Sequence, residues 1–546
     1  MITPLAAADK ARYSVLNEDT IDFLMTRYNR VNRWVIADML RRTRYHVPDK
    51  PALLFGDHCL SYTQLEADCN QVANALLDLG VKKYDRVAIL AHNTLHHVLT
   101  WLGTTKTGGI YLGLNYLLHG PDLAYCLNHS ESRILIVEDA LYELVKDVLA
   151  ELSTVKHLIW SSQGAGQPAP EGFLDFDAWR RSYPTTEPEV VLRIEDPVQM
   201  TYTSGTESRP KGVIISNQAL IAEYLGCIID GEYERTDINL NALPIYHCAQ
   251  RDVFMNPIFW LGGTNILLGP DIRAILQAIA RHRVTMFFAP PTVWIGLLRH
   301  PEFDQYDLSS LKKCYYGASI MPVEILKELL ARLPQARIYN YYGQTELAPY
   351  HTLLKAEDAL RKLGSAGRAG LHMETRLEDD SDQAIASPGV PGEICGRGPQ
   401  VMTLYFKEPD KTEEALLDGW FHSGDLGVLD EEGYVTVVDR KKDMIKTGGE
   451  NVASREVEEA IYREPGVEEV AVIGMSDPKW IEAITAVIVP KSGATLTAEA
   501  ILAHCRRELA PFKVPKKVIF VEALPKTPTG KILKRQLRLT LEPESD

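Results

Sequence analysis

YTSGTESRPKGV, residues 202–213, places small hydroxylated residues and a glycine ahead of a proline, a lysine and a second glycine. Hydroxyl groups can donate to anionic oxygens, a glycine permits close backbone approach, and a lysine adds positive charge. The stretch therefore indicates a phosphate-binding loop. Its spacing differs from the GxxxxGK pattern of the common P-loop, which disfavours a Walker-type kinase or ATPase. The residues expected to contact phosphate are Thr203, Ser204, Gly205, Thr206 and Lys211.

Length and composition indicate a large globular protein. A chain of 546 residues exceeds what one hydrophobic core usually organises, so we expect at least two domains. The sequence shows neither a secretory signal nor an apolar run long enough to cross a bilayer, which predicts a soluble, cytoplasmic protein without a transmembrane segment. Eight cysteines occur without CxxC spacing, so neither a disulfide framework nor a zinc site is expected.

The charge distribution bears on the class of partner. The formal net charge is −15, yet residues 511–538 are rich in lysine and arginine. Such a basic tail suits a polyanionic ligand or simple solvation equally well. A nucleic acid is not expected as a partner, because the protein is acidic overall and has no basic stripe interleaved with aromatic residues.

Helical and strand-like patterns alternate along much of the chain. Thr63 and Glu66 form a capping-box pattern ahead of a helical repeat that runs to Gly80, and the strand-like stretch 85–90 follows. The same order returns downstream, where two further helical stretches each lead into an apolar strand. This alternation predicts a parallel α/β architecture.

Two loops follow apolar strands in this pattern, YYGAS at residues 315–319 and YYGQTE at residues 341–346. Ligand crevices of open α/β sheets lie at the carboxyl ends of the strands, so we expect both loops to meet at one site. Turn-rich stretches at residues 363–370 and 387–398 mark a change in architecture. After Arg440 the pattern predicts a small α/β domain of about 100 residues.

Five further motifs follow the opening loop in a characteristic order. They are YYGQTE at 341–346, GEICGRG at 392–398, GWFHSGDLG at 419–427, DRKKDMIKTGGEN at 439–451 and PKTPTGKILKR at 525–535. Together the six motifs closely resemble those of the adenylate-forming acyl-CoA synthetases, over nearly the whole chain. Within this family the chain most resembles bacterial fatty acyl-CoA synthetases, which share sequence segments such as TSGTES, LPIYHCAQ, APPTVW and YYGASIMP.

The resemblance implies both a fold and a reaction. The fold would be α/β: a large multi-subdomain N-terminal domain, residues 1–440, with parallel sheets sandwiched by helices, and a small mobile α+β C-terminal domain, residues 441–546. The reaction would use ATP and Mg²⁺ to convert a carboxylic acid into acyl-AMP and pyrophosphate. CoA would then displace AMP to give acyl-CoA. The expected acid is a medium- or long-chain fatty acid.

The resemblance also assigns residues to the nucleotide. Thr345 would hydrogen-bond phosphate, and Glu346 would hold Mg²⁺, because carboxylate oxygens are the ligands this ion prefers. Tyr342 would stack on adenine, and Asp425 would accept hydrogen bonds from the ribose hydroxyls. The remaining expected contacts are Gly317, Ala318 and Ser319 at the adenine wall, Gly343 in the YYGQTE loop, and Arg440 at the ribose or phosphate.

The small domain would supply different residues to the two steps. Lys531 is expected to bring positive charge to the carboxylate and the α-phosphate during adenylation. Lys442 matches the family's hinge position, about which the domain would rotate. The segment expected to serve the CoA step contains Lys446, Gly448, Gly449 and Asn451, whose glycines permit close approach of the CoA thiol.

The acyl pocket is the least specified part of the site. The resemblance puts it near Tyr246 and places His247 beside the reacting carboxylate. Arg251, Tyr350 and His351 are more polar than an alkyl tunnel requires, so an aromatic or dicarboxylic acid contacted by Arg251 or His351 is an alternative substrate. A surface pair of Arg251 with Asp252 would equally explain the arginine.

Two other classes of function share these nucleotide residues. A luciferase-like oxygenase would use the same acyl-AMP. The segments shared with fatty acyl-CoA synthetases and the GGEN segment favour transfer of the acyl group to CoA instead. A non-catalytic acyl-nucleotide sensor is possible on any fold, but Lys211, Glu346 and Lys531 are all present. A homodimer stays an open alternative for the assembly.

Overall fold

The computed structural model describes residues 17–203, 210–319, 321–447, 450–527 and 532–541. The strands, in chain order, are β1 Pro51–Phe55, β2 His58–Ser61, β3 Arg86–Leu90, β4 Ile110–Gly113, β5 Ser132–Glu138, β6 His157–Ser161, β7 Phe173–Asp175, β8 Pro197–Thr203, β9 Lys211–Ser216, β10 Ile238–Asn241, β11 Thr264–Leu267, β12 Met286–Phe288, β13 Lys313–Gly317, β14 Arg337–Tyr342, β15 Thr352–Leu354, β16 Arg368–Ala369, β17 Glu374–Glu378, β18 Gly392–Arg397, β19 Leu404–Tyr405, β20 Phe421–Leu429, β21 Val435–Arg440, β22 Ile445–Thr447, β23 Glu450–Val452, β24 Val467–Asp477, β25 Ile481–Pro490 and β26 Lys517–Phe520.

Helices connect most of these strands. In chain order they are α1 Glu18–Arg27, α2 Asn29–Asn32, α3 Met39–His46, α4 Tyr62–Asp78, α5 Leu95–Thr107, α6 Gly120–His129, α7 Phe176–Arg181, α8 Asn217–Asp230, α9 Asn256–Leu261, α10 Ile272–His282, α11 Pro291–Arg299, α12 Val323–Arg332, α13 Pro409–Ala415, α14 Ser454–Tyr462, α15 Ala498–Glu508 and α16 Lys534–Leu541. A π-helical segment, Ala249–Met255, leads directly into α9.

Two large sheets organise the N-terminal part of the chain. The first has nine strands in the order β16-β15-β14-β13-β12-β10-β11-β1-β2, and its central strands from β14 to β1 are parallel. The second has eight strands in the order β19-β9-β8-β4-β3-β5-β6-β7, parallel from β8 to β7. Antiparallel strands close the edges of both sheets at β2, β15, β16, β9 and β19. The predicted parallel α/β architecture is therefore confirmed.

Helices α4 and α5 join the two sheets into one core. They pack against each other, α4 contacts β1 and β2 of the first sheet, and α5 contacts β3 and β4 of the second. Buried Leu53 of β1, Val72 of α4 and Val87 of β3 belong to the same hydrophobic cluster. Burial of this shared apolar surface stabilises the arrangement of the two sheets.

The start of α4 differs from the sequence prediction. Its N-cap is Ser61, whose hydroxyl accepts from the Gln64 backbone N–H while the Gln64 side chain accepts from the Ser61 backbone. The predicted capping by Thr63 and Glu66 is wrong. Glu66 is buried one turn inside the helix, where its carboxylate lies 3.0 Å from the Lys106 ammonium group of α5. A buried carboxylate needs a partner of opposite charge, and Glu66 pairs with Lys106 instead of capping the helix.

The turn-rich stretches do mark a change in architecture, as predicted. After the first sheet the chain forms a four-stranded antiparallel sheet in the order β17-β18-β20-β21. A small domain follows β21 and has a sheet in the order β23-β22-β25-β24, with β26 parallel to β25. Its core includes residues of α14, α15, β24 and β25. The small α/β domain expected after Arg440 is thus present.

Polar contacts connect the small domain to the antiparallel sheet. The backbone N–H of Ser454 and its hydroxyl both donate to Asp439 Oδ2 of β21, at 2.6 and 2.7 Å. The Arg455 guanidinium donates to the carbonyl of Gly364 at 3.0 Å. These contacts set the orientation of α14 against the large domain. Across the described ranges, no helix is both long enough and apolar enough to span a membrane.

Candidate active site

The YYGAS and YYGQTE loops leave neighbouring parallel strands, as the sequence analysis predicted. Gly317 at the end of β13 pairs with Tyr341 of β14. A side chain at Gly317 would start 2.4 Å from the Tyr341 carbonyl oxygen, and one at Gly343 would start 1.8 Å from the Pro349 carbonyl oxygen. Ala318 adopts a left-handed φ of 63°, which turns the chain at once, with Ser319 next in the same loop. Backbone therefore approaches backbone closely at this end of the sheet.

Tyr342, Asp425 and Arg440 come together beside these loops. The Tyr342 hydroxyl donates to Asp425 Oδ2 at 2.9 Å, and the Gln344 amide donates to the same oxygen at 3.0 Å. Arg440 Nε lies 3.5 Å from Asp425 Oδ1. Burial and the Asp425 charge raise the pKa of Tyr342, so its hydroxyl stays protonated and can donate. These contacts fix the orientation of the Asp425 carboxylate.

The opening loop connects two antiparallel strands of the second sheet. Thr203 at the end of β8 pairs with Lys211 at the start of β9. Ser204, Gly205 and Thr206 lie outside the described residues. The Lys211 ammonium group lies 4.0 Å from the centre of the Tyr405 ring, a cation–π contact. The base of the loop is thus fixed, with its lysine held over an aromatic face.

Glu346 contacts the hydroxyl group of the same tyrosine, Tyr405. The Tyr405 hydroxyl donates to Glu346 Oε1 at 2.8 Å, so one tyrosine contacts both the loop lysine and this glutamate. Thr345 and Glu346 begin a short 3₁₀ turn, and their exposed fractions are only 9% and 8%. A buried carboxylate oriented by a hydrogen bond fits Mg²⁺, which prefers oxygen ligands. The predicted metal residue therefore has suitable chemistry.

The segment that contains Tyr246 and His247 contacts the same 3₁₀ turn. Cys248 Sγ lies 3.4 Å from Thr345 Oγ1. The His247 ring accepts from the Ala249 backbone N–H at 3.2 Å, at the first turn of the π-helical segment. The Tyr246 ring packs edge-on against Tyr116 at 5.2 Å. Cys248 therefore holds this segment against Thr345, whereas Tyr246 is buried against Tyr116.

Arg251 lies in the interior of the large domain. Its exposed fraction and that of Asp252 are both 0%, so the idea of a surface pair is wrong. The guanidinium contacts Asp252 Oδ2 at 2.8 Å and Gln199 Oε1 at 2.6 Å, and it lies over the rings of Trp101 and Tyr111. Burial alone would lower the pKa of Arg251, but the Asp252 charge raises it, and the net shift is upward. The protein's own groups, not a substrate, account for this charge.

Tyr350 and His351 are also directed at protein partners. The Tyr350 hydroxyl donates to Asp230 Oδ2 at 2.8 Å, and His351 Nε2 lies 2.8 Å from Thr375 Oγ1. Both side chains are almost fully buried. Burial lowers the pKa of His351 to about 4, so the ring is neutral at ordinary pH. The geometry favours structural roles for both over contact with a polar acid.

The small-domain residues lie on different segments. Lys446 and Asn451 pair across the β22–β23 hairpin, and the Lys446 backbone N–H donates to Glu482 Oε2 at 2.6 Å. Lys442 stands in the turn after β21. The contacts described for Lys446 and Asn451 are within their own domain. Gly448, Gly449 and Lys531 lie outside the described residues.

Three residues join the candidate site that the sequence did not single out. Gln344 shares Asp425 with Tyr342, Tyr405 connects Lys211 with Glu346, and Cys248 contacts Thr345. Gln344 is inside the YYGQTE motif, so its position was a usable signal. Tyr405 follows the GEICGRG motif at a distance and carried no such signal, because only the pairing of β19 with β9 brings it beside Lys211.

The comparisons with known proteins cover most of this architecture. A family model described as AMP-binding enzyme matches residues 40–406, and one described as AMP-binding enzyme C-terminal domain matches residues 456–531. The chain is 35% identical over 500 residues to a feruloyl-CoA synthase of Amycolatopsis sp, covering 91% of this chain and 97% of that protein. It is 34% identical over 537 residues to a long-chain-fatty-acid–CoA ligase of Bacillus subtilis (strain 168), covering 94% and 95%.

The same similarity extends to solved structures. The anthranilate CoA ligase AuaEII, crystallised with anthranoyl-AMP, superposes with a TM-score of 0.87 at 27% identity, covering 93% of this chain and 97% of that one. The relatives share CoA ligase or synthase activity by name but differ in the acid. Such enzymes use ATP, CoA and Mg²⁺. The chain therefore belongs to the AMP-binding enzyme family of adenylate-forming acyl-CoA synthetases, as an AMP-forming acid–thiol ligase.

Proposed function

We propose that this ligase activates an apolar monocarboxylic acid, with a medium- or long-chain fatty acid as the first candidate. The choice of acid rests on one observation. In the protein interior, the Arg251 guanidinium group is already bound by Asp252 and Gln199. A second carboxylate on the substrate would need a buried cation of its own, since an unpaired buried charge costs several kcal/mol or more. An apolar acid avoids this cost.

The aromatic surroundings of the two loops support the same conclusion. Phe254, Tyr315 and Tyr341 belong to one buried cluster that includes residues of the parallel strands β12, β13 and β14. The Phe254 and Tyr341 rings lie 5.5 Å apart, and those of Phe254 and Phe288 are stacked at 4.3 Å. An acid that extends from His247 toward this cluster would meet ring faces, which favour apolar carbon.

An aromatic monocarboxylic acid is the second candidate. The ring cluster next to Gly317 can stack on a planar acid as well as line an alkyl chain. The feruloyl-CoA synthase and anthranilate ligase relatives, by their names, act on such acids. A dicarboxylic acid is a weaker candidate, because the described contacts of Arg251 and His351 are with protein groups.

For the adenylation step, we infer separate duties for the residues around the nucleotide. Glu346 would hold Mg²⁺, which draws charge from the triphosphate, while Thr345 and Lys211 bind phosphate oxygens. Asp425 would accept from the ribose hydroxyls, with Tyr342 and Arg440 fixing its carboxylate. His247 would orient the substrate carboxylate beside Thr345. The adenine would pack against Gly317, Ala318, Ser319 and Gly343.

For the CoA step, the proposal gives the small domain an active part. Its boundary would lie between residues 440 and 441, with Lys442 as the hinge residue. Lys531 would serve adenylation, and Lys446 with Asn451, Gly448 and Gly449 would serve thioester formation after the domain turns. The position of Lys442 in a turn between β21 and β22 supports a hinge there.

A panel of acids measured at both steps tests this proposal. Hexadecanoate, octanoate, ferulate, benzoate and adipate would each be assayed for pyrophosphate release and then for loss of the CoA thiol. We expect the apolar monocarboxylates to support both reactions and adipate to support neither. Fastest turnover of adipate would refute the choice of acid. Pyrophosphate release without thiol loss for every acid would instead contradict the CoA step.

A further inference from the structure

One face of the antiparallel sheet gathers four side chains that can bind a metal ion. The strand register pairs Glu378 of β17 with Glu393 of β18, and Cys395 of β18 with His422 of β20. Side chains two residues apart on a strand point to the same face, so Glu393 and Cys395 share a face with their cross-strand partners. Three neighbouring strands thus contribute a thiol, an imidazole and two carboxylates.

The donor atoms are close together. One ligand atom each from Glu378, Cys395 and His422 can be chosen so that all lie within 4.8 Å of one another. Cys395 Sγ is 3.7 Å from His422 Nδ1, and Glu378 Oε2 is 3.5 Å from His422 Nε2. Around a tetrahedral zinc ion, with bonds of about 2.0 to 2.3 Å, neighbouring donors are about 3.5 Å apart. Cys395 and Glu378 face different nitrogens of the His422 ring, and an imidazole binds one ion through one nitrogen, so side-chain rotation would have to bring these donors around one ion.

Each glutamate has one oxygen engaged and the other facing the histidine. Arg376 pairs with Glu378 Oε1, whereas Glu378 Oε2 faces the His422 ring. The Gly424 backbone N–H donates to Glu393 Oε1 at 2.8 Å, whereas Glu393 Oε2 lies 3.9 Å from His422 Nδ1. These second contacts orient the carboxylates, as outer partners do at protein metal sites.

Burial distinguishes this cluster from an ordinary patch of surface acids. Cys395 is fully buried and Glu378 is 2% exposed. The His422 side chain is 11% exposed, which leaves a route for an ion from solvent. The cluster is separate from the proposed magnesium residue Glu346, which contacts Tyr405 on a different sheet.

We propose that Cys395, His422 and Glu378 bind a divalent transition-metal ion of intermediate softness, such as Zn²⁺, with Glu393 as the fourth ligand. The thiol selects against Mg²⁺ and Ca²⁺, which prefer oxygen ligands alone. On binding, the Cys395 thiol gives its proton to solvent and its sulfur forms the bond to the metal. The sequence predicted no zinc site because its ligands are distant in the chain and meet only through strand pairing.

Cobalt titration of the full chain, purified without a polyhistidine tag, tests the proposal. Co²⁺ replaces Zn²⁺ at such sites and gives a near-ultraviolet charge-transfer band when a thiolate is bound. We expect one equivalent of Co²⁺ to produce this band in the wild-type protein and Zn²⁺ to abolish it. Cys395→Ser should remove the band, and Glu378→Gln should weaken Co²⁺ binding by about tenfold or more.

Cys59→Ser is the matched control, because Cys59 is the exposed cysteine among the described residues and lies on β2 of another sheet. That variant should keep the band and the affinity. Circular dichroism, together with pyrophosphate release measured with Mg²⁺ but without Co²⁺ or Zn²⁺, would establish that Cys395→Ser is folded, and Cys395→Ala provides a second variant. The proposal is overturned if folded wild-type protein gives no thiolate band. It also fails if the band survives Cys395→Ser or disappears in Cys59→Ser.

Discussion

At the scale of single residues, Tyr405 has an unusual position because one side chain contacts two charges of opposite sign. Its ring lies under Lys211 and its hydroxyl donates to Glu346. Tyr405→Phe keeps the ring and removes only the hydrogen bond to the carboxylate. We expect the Mg²⁺ concentration for half-maximal pyrophosphate release to rise by about tenfold, since loss of an orienting partner weakens metal binding by that order.

Tyr342→Phe is the matched control for this prediction. It removes the other hydroxyl that donates to a site carboxylate, that of Asp425. The variant should raise the KM for ATP and leave the Mg²⁺ requirement unchanged. If both variants changed the Mg²⁺ requirement equally, the assignment of Glu346 rather than Asp425 to the ion would lose its support.

His351 gives a prediction about stability rather than activity. Burial holds its pKa near 4, below the ordinary value of 6.5. Between these pH values the unfolded chain binds a proton that the folded protein does not, so acidification through this window favours unfolding. His351→Asn should flatten the fall in unfolding free energy from pH 6.5 to 4 by up to about 1.4 kcal/mol per pH unit.

Urea denaturation at several pH values measures this slope. Thr375→Val is the control, because it removes the hydroxyl beside His351 Nε2 and leaves the titrating ring in place. That variant should retain the wild-type slope even if its overall stability is lower. An unchanged slope in His351→Asn would show that other buried groups account for the acid sensitivity.

At the scale of elements, the tight approach of the YYGQTE loop to the segment after it depends on Gly343. A methyl group there would start 1.8 Å from the Pro349 carbonyl oxygen, which is backbone and cannot rotate away. We expect Gly343→Ala to lower the unfolding free energy by about 3 kcal/mol or more. Gly269→Ala is the control, since nothing lies within 4 Å of that position, and its effect should stay within about 0.5 kcal/mol. Equal stability of the two variants in chemical denaturation would contradict this reading of the loop.

The elements also show what could be read from the sequence. Helix–strand alternation predicted strands β12 and β14, and it predicted that the YYGAS and YYGQTE loops meet at the carboxyl ends of their strands, because hydrophobic periodicity is local. The capping of α4 was misassigned to Thr63 and Glu66, because the buried partner of Glu66 is a lysine on another helix. Tyr405 and the Cys395–His422 pair were missed for the same reason. Strand pairing between distant segments creates these contacts, and no local pattern encodes it.

At the scale of the whole molecule, the two domains are connected near the expected hinge by polar contacts. Asp439 accepts two hydrogen bonds from Ser454, and the Lys534 ammonium group lies 2.6 Å from the Ser454 hydroxyl. Lys534 is also 2.7 Å from the carboxylate of Glu458. Asp439, Ser454, Lys534 and Glu458 form one polar network, so the orientation of the small domain depends on all four residues together. A change of orientation of the small domain would have to break the hydrogen bonds between Asp439 and Ser454.

Two lysines of the small domain provide the sharpest test of such a change. If the domain presents Lys531 for adenylation and Lys446 for the CoA step, each substitution should impair one half-reaction only. We expect Lys531→Ala to slow pyrophosphate release by about 100 to 1,000-fold, the usual cost of losing a group that stabilises transition-state charge. The same variant should transfer the acyl group from supplied acyl-AMP to CoA at nearly the wild-type rate. Lys446→Ala should show the reverse, with normal pyrophosphate release and slow thioester formation.

Because both residues belong to one domain and both changes remove one lysine charge, a general loss of stability or charge would affect the two variants alike. Equal losses in both half-reactions would therefore argue for a single fixed orientation of the domains.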